Sequence, residues 1–123
     1  MANEKEMNEI LDKFHSEIPG FIAASLVDLD SGMTLAVRSN RNDFDLAVAS
    51  AYNSELVKQK QKIMKALNLT THLEDMILTL GDQIHFLKLV TPGTFIYLAA
   101  DRSSSNIAIV RTVVNKYSKP LTV

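Results

Sequence analysis

Met76-Ile-Leu-Thr-Leu80, Gly81-Asp82, Ile84-His-Phe-Leu-Lys-Leu-Val90, Thr91-Pro-Gly93 and Phe95-Ile-Tyr-Leu-Ala-Ala100 follow one another almost without interruption, and this run decides the architecture. Each apolar segment is short, rich in β-branched or aromatic residues and closed by turn formers, the pattern of strands joined as hairpins. Ser103-Ser-Ser-Asn106 then offers a helix cap, and Ile107, Val110, Val114 and Tyr117 recur three or four residues apart. The chain therefore leaves the three strands as a helix.

Upstream, Met7, Ile10, Leu11, Phe14 and Ile18 fall on one side of a helix expected over residues 3 to 17. Pro19-Gly20 ends it, because proline cannot continue the hydrogen-bond ladder. Phe21 to Val27 is apolar except for Ser25, as in a strand covered on both faces. Asp28-Leu-Asp-Ser-Gly32 turns into Met33 to Arg38, whose alternation suits a strand nearer the sheet edge. After the polar loop from Ser39 to Asp43, which ends in an expected helix cap, a long helix should run from Phe44 to Leu67. Its apolar stripe passes through Ala49, Tyr52, Leu56, Ile63 and Leu67. A neighbouring face reads Ala47, Ala51, Ser54, Lys58, Lys62, Lys65, small at one end and basic at the other.

The order is thus helix, two strands, long helix, three strands, helix. With the two most apolar strands at the centre, the expected fold is α+β: a five-stranded antiparallel sheet of order 2-1-5-4-3, with three helices available to cover its faces. The third strand is left on an edge, without proline or lysine to guard it. A second copy of the chain is the simplest cover, since most soluble oligomers are isologous dimers. The expected interface comprises Met76, Ile77, Leu78 and Leu80 on the edge, with Ala47, Ala51 and Ser54, whose small side chains let a second helix come close.

Size and composition narrow the functions. The 123 residues suit one domain spanning 1–123, with a net charge of −1 that gives no electrostatic drive toward nucleic acid. No apolar run approaches bilayer length, and the N-terminus lacks the basic start and apolar core of a signal peptide, so a cytoplasmic protein is expected. Cysteine is absent, which excludes disulfides and thiol chemistry. Asp28-x-Asp30-x-Gly32 imitates a calcium loop, but the glycine falls one place early and Ser39 stands where the last carboxylate belongs. His15, His72 and His85 lie on separate elements; His72 and His85 would meet only if their segments pair. Gly81-Asp82 and Pro92-Gly93 are hairpin turns, and no phosphate-binding glycine loop occurs. Arg102 stands alone after the last strand. Neither a catalytic set nor a cofactor or metal site is expected, and the chain reads as a non-enzyme that works through surfaces. The densest positive run, Lys58, Lys60, Lys62 and Lys65, suits a solvated helix face or steering toward an acidic partner.

Over residues 5 to 117 the chain resembles the Roadblock/LC7 domain family, which includes roadblock-type dynein light chains and bacterial MglB-like GTPase partners. The resemblance rests on Ile18-Pro-Gly-Phe21 entering an apolar strand, on Asp28-Leu-Asp-Ser-Gly32 as a hairpin turn, on Leu80-Gly-Asp82, and on Asn106-Ile-Ala-Ile-Val110 opening the last helix. It implies a profilin- or longin-like sandwich and a homodimer joined through the third strand and second helix. It also implies a platform that binds and regulates a small Ras-like GTPase, or an adaptor in a larger assembly. The implied contact region is the exposed part of Phe44 to Leu67, with Lys58, Lys62 and Lys65 as contacts. Only six residues follow Tyr117, so a function supplied by a longer tail in relatives is not expected here.

Overall fold

Three side chains start the three helices. Asn3 Oδ1 accepts from the Glu6 amide at 2.9 Å, and Glu6 reaches back to the Asn3 amide to complete a capping box. Asp45 accepts from Val48 and Asn106 from Ile109, at 3.1 and 2.9 Å. Each satisfies an amide that the first helical turn leaves without a partner. In the computed structural model, which describes residues 2–121, these caps open α1 (Glu4–Glu17), α2 (Leu46–Ala66) and α3 (Ile107–Ser118). The strands are β1 (Phe21–Asp28), β2 (Thr34–Ser39), β3 (Asp75–Thr79), β4 (Gln83–Thr91) and β5 (Thr94–Asp101). The long helix begins two residues later than expected because Asp43 is taken by Arg41, which holds both its oxygens at 3.0 Å.

The sheet is antiparallel with order β2-β1-β5-β4-β3, as expected. Both faces are covered. On one, α1 and α3 bury Leu11, Phe14, Val110 and Val114 against Leu26, Phe86, Ile96 and Leu98. On the other, α2 contributes Leu46 and Val57 to a layer with Val27, Leu87, Phe95 and Tyr97. The continuous apolar reading of β1 and β5 reflects this double burial, because central strands must be apolar on both sides. Ser25, the exception, is fully buried and shares a 2.8 Å hydrogen bond with Ser50 of α2. A buried hydroxyl without a partner is costly, and each serine supplies the other's.

The turn after β1 fixes where α2 sits. Asp28 Oδ2 accepts from the Ser31 amide and hydroxyl at 3.0 and 2.6 Å, and Gly32 adopts φ +74°, where side chains are strained. A Cβ at Gly32 would lie 2.9 Å from Ser54 Oγ and 3.3 Å from Ala51 Cα. Hairpin and helix thus touch at a point with no room for a methyl. Gly32→Ala should therefore lower stability by about 1–3 kcal/mol from combined strain and overlap. Gly93→Ala, which meets nothing within 4 Å, should be nearly neutral. Urea denaturation of both variants checks the contrast.

Candidate functional site: the outer face of α2 and the edge of β3

Helix α2 carries large apolar side chains on its outer side as well as underneath. Its buried residues are Leu46, Ser50, Ser54, Val57 and Met64, two of them serines. Facing outward are Val48, Tyr52, Leu56, Ile63 and Leu67, with Tyr52 75% exposed and Leu67 62%. Of the stripe expected from the sequence, only Ala49 is drawn into the layer under the helix. The rest forms an uncovered ridge, and a contiguous apolar surface of this kind marks an interaction site.

The expected small face lies elsewhere than anticipated. Ser54 is buried and donates to the Ala51 carbonyl at 3.1 Å, Ala51 borders Gly32, and Lys58 Nζ donates to the Asp30 carbonyl at 2.9 Å. Ala47 and Ala51, although exposed, stand on this flank, beside the β1–β2 turn and away from β3. Ser54 is occupied within its own chain and has no surface to offer a second copy. The small residues bring α2 onto its own hairpin. On the opposite flank, Lys60 faces His72 to Asp75, where the chain enters β3. Leu56 and Ile63 are four and three residues from Lys60 and share its side, so the apolar ridge adjoins the β3 end of the sheet.

The two sheet edges differ in kind. On β2, Leu35 is an extra residue between the Leu26–Ala36 and Val27–Thr34 pairs, and α1 packs against the strand. A bulge and a covering helix both hinder pairing at an edge. β3 keeps an unbroken register with β4, from Asp75 opposite Lys88 to Thr79 opposite Ile84. Met76 and Leu78 are half-buried beside the α2 layer, whereas Ile77 turns to the α1 and α3 side. Leu80 falls just past the strand and is 42% exposed. Arg111 of α3 holds Asp75 at 2.9 Å and fixes the start of this edge.

Next to Leu78, His85 of β4 forms a polar knot under the loop that leads into α2. His85 Nε2 is 2.7 Å from Gln83 Oε1, and Nδ1 is 3.3 Å from the Tyr97 hydroxyl. With the amide oxygen as acceptor, Nε2 carries the proton and Nδ1 accepts from Tyr97. Phe44 stacks on Tyr97 and meets His85 edge-on. Burial pushes the Tyr97 phenol up to about 12 and pushes the His85 imidazole down, the latter opposed by the Asp82 charge.

The other sequence candidates do not converge. His72 precedes β3 on the surface and is separate from His85, because Asp75 pairs opposite Lys88. His15 bonds Asn40 at 2.8 Å, and Arg102 Nη1 bonds the Leu80 carbonyl at 3.0 Å. Lys62 and Lys65 are exposed on the Lys58 side of α2. Among the described residues, no group of three or more histidines or carboxylates is placed to hold a metal, and no helix is long and apolar enough to cross a membrane. Sequence reading missed Val48, whose place on the ridge follows from its spacing to Tyr52, and it missed the Ser25–Ser50 pair.

A sheet of this order, with α2 alone on one face and α1 and α3 on the other, is the Roadblock/LC7 fold. Among solved structures the chain is similar to Myxococcus xanthus MglB, with TM-score 0.85 and 14% identity over 95% of this chain and 92% of that one. It is equally similar to an MglB solved in a tetrameric arrangement, with TM-score 0.85 and 15% identity over 99% and 89%. A Roadblock/LC7 domain from Streptomyces avermitilis follows at TM-score 0.81 and 16% identity over 93% and 92%. No family model and no curated protein sequence matches the chain, so the likeness is one of fold.

Because folding lowers the His85 pKa, the unfolded chain takes up that proton first as pH falls below about 6.5. Stability contributed by neutral His85 is therefore present above that value and lost below it, until the folded imidazole titrates as well. The melting temperature should drop between about pH 7.5 and about pH 5.5, and less so for His85→Gln. Thermal melts across that interval measure the difference.

Proposed function

We propose that this chain is a non-catalytic, homodimeric binding platform of the cytoplasm that docks and regulates a small Ras-like GTPase. The observation that carries the reading is the ridge of Val48, Tyr52, Leu56, Ile63 and Leu67, uncovered and adjoining the one regular edge of the sheet. In the proposed dimer, β3 pairs with β3 of a second copy through Met76, Ile77, Leu78 and Leu80, joining two five-stranded sheets into one. The two α2 ridges then meet across the two-fold axis, and burying large apolar side chains stabilises the pair. Likeness to an MglB in a tetrameric arrangement supports self-association.

The GTPase is argued from the sequence resemblance together with the fold. Its contact surface is the outer side of the paired helices, with Lys62 and Lys65 reaching the partner and Lys58 held against Asp30 as a fixed neighbour. The mechanism is preferential binding of one nucleotide state, so that a switch loop is held ready for hydrolysis without chemistry from this chain.

Sedimentation of the protein at micromolar concentration should give a dimer, and the double variant Tyr52→Glu, Leu56→Glu should sediment as a folded monomer. A wild-type monomer would sink the dimer. For regulation, GTP turnover by a Ras-like GTPase of the same genome should rise on adding the protein and fall back with Lys62→Glu, Lys65→Glu. Binding with unchanged turnover would make the chain an adaptor instead.

A further inference from the structure

Strand β4 runs three residues past the start of β3. Lys88 pairs with Asp75, and of the residues beyond it Leu89 is met only by a 3.0 Å bond from its amide to the Glu74 carbonyl. Val90 is the extra residue of a bulge between the Leu89–Phe95 and Thr91–Thr94 pairs and is buried on the α1 and α3 side, so past Glu74 the end of β4 borders open space under α2. That space is a groove of about 600 Å³ beneath the C-terminal turns of α2, floored by Met64, Leu73 and Leu89. A second hollow of about 540 Å³, sharing Met64 and Leu73, continues it toward α3.

The groove is basic although the chain as a whole carries −1. Lys65 and Lys88 line the first part and Lys60 and Arg111 the second, against Glu74 and Asp75. Arg111 and Asp75 satisfy each other at 2.9 Å. Lys60, Lys65 and Lys88 form no ion pair among the described residues, which leaves three cations facing one carboxylate. The volume falls within the range of binding clefts, and an apolar floor with a cationic rim suits an acidic ligand that carries an apolar group.

We propose that this groove docks a short extended peptide segment of a partner protein, acidic in character and carrying one apolar anchor side chain. Its backbone lies in the groove across the end of β4, beside Leu89 and Thr91. The anchor enters between Met64 and Leu89, and its flanking carboxylates meet Lys60 and Lys88. The groove is formed by a single chain; it borders the β3 edge of the proposed dimer and shares Lys65 with the GTPase contact, so the test leaves Lys65 unchanged and reads binding through Lys60 and Lys88.

The test uses the full chain and a fluorescein-labelled heptapeptide with one central leucine flanked on each side by glutamates. Anisotropy should report binding that weakens with salt and that falls about tenfold in Lys60→Glu, Lys88→Glu, while Lys13→Glu on α1 leaves it unchanged. In methyl NMR the Met64 signal, assigned through Met64→Leu, should move on titration while that of Met33 stays put. No binding, binding indifferent to the Lys60 and Lys88 reversals, an unmoved Met64 methyl, or preference for phosphatidylglycerol vesicles over the peptide would each overturn the proposal.

Discussion

The close seat of α2 on the β1–β2 hairpin is the constraint from which the rest of the structure follows. A helix can approach a sheet only as near as the side chains between them allow, and here those are Ser50, Ser54 and the hydrogen atom of Gly32. The Ser25–Ser50 bond removes the penalty of burying two hydroxyls in the layer. Beneath the helix Ser50 and Ser54 alternate with Leu46, Val57 and Met64, while Val48, Tyr52, Leu56, Ile63 and Leu67 stand outside. The exposed ridge is thus a consequence of how the helix is held. Leucine, isoleucine and tyrosine on the outer side leave a large apolar surface exposed.

The sheet shows the same economy in its two edges. Neither has a further strand beside it within the chain, and only one is regular. Leu35 breaks the ladder of β2 and α1 lies across that strand, whereas β3 offers five residues in unbroken register with no charge beyond Asp75, which Arg111 neutralises. Regular edge and uncovered ridge meet at one end of the molecule because the chain passes from α2 through Leu73 directly into β3. Proximity in sequence becomes proximity in space, and the open edge and the exposed ridge adjoin.

Much of the fold was legible in the residues. Strand order follows from the two continuously apolar segments, which belong in the middle, and from hairpin turns too short for any other connection. Orientation of the long helix was not legible. An amphipathic helix read alone has its most apolar stripe facing inward, and that stripe includes Tyr52, Leu56, Ile63 and Leu67, which face out. The true inward face depends on partners distant in sequence, Ser25 and Gly32, that no periodicity within the helix reveals. Ser54 was misplaced for the same reason: a small residue fits a helix approaching from another copy as well as a turn of its own chain. Likewise the groove beneath Met64 arises from the offset of β3 against β4, a property of register.

The lysines of α2 show why a run of charge in sequence is not a patch in space. At about 100° per residue, Lys58, Lys62 and Lys65 gather on one side of the helix and Lys60 stands nearly opposite. Lys58 is drawn to the Asp30 carbonyl and pairs with Glu55 at 3.6 Å, while Lys60 turns toward the entry to β3. Lys65, in the last turn, also complements the negative end of the helix, a contribution of about 0.3–1 kcal/mol that needs no partner protein. The run therefore divides among a structural contact, a helix terminus and two solvent-facing flanks. Steering by such a surface works over about one Debye length, roughly 8 Å at physiological salt, so only charges on the same flank act together on an approaching partner. Lys60 and Lys62 therefore face different approaching partners, while Lys65 at the helix end borders both the groove and the outer flank.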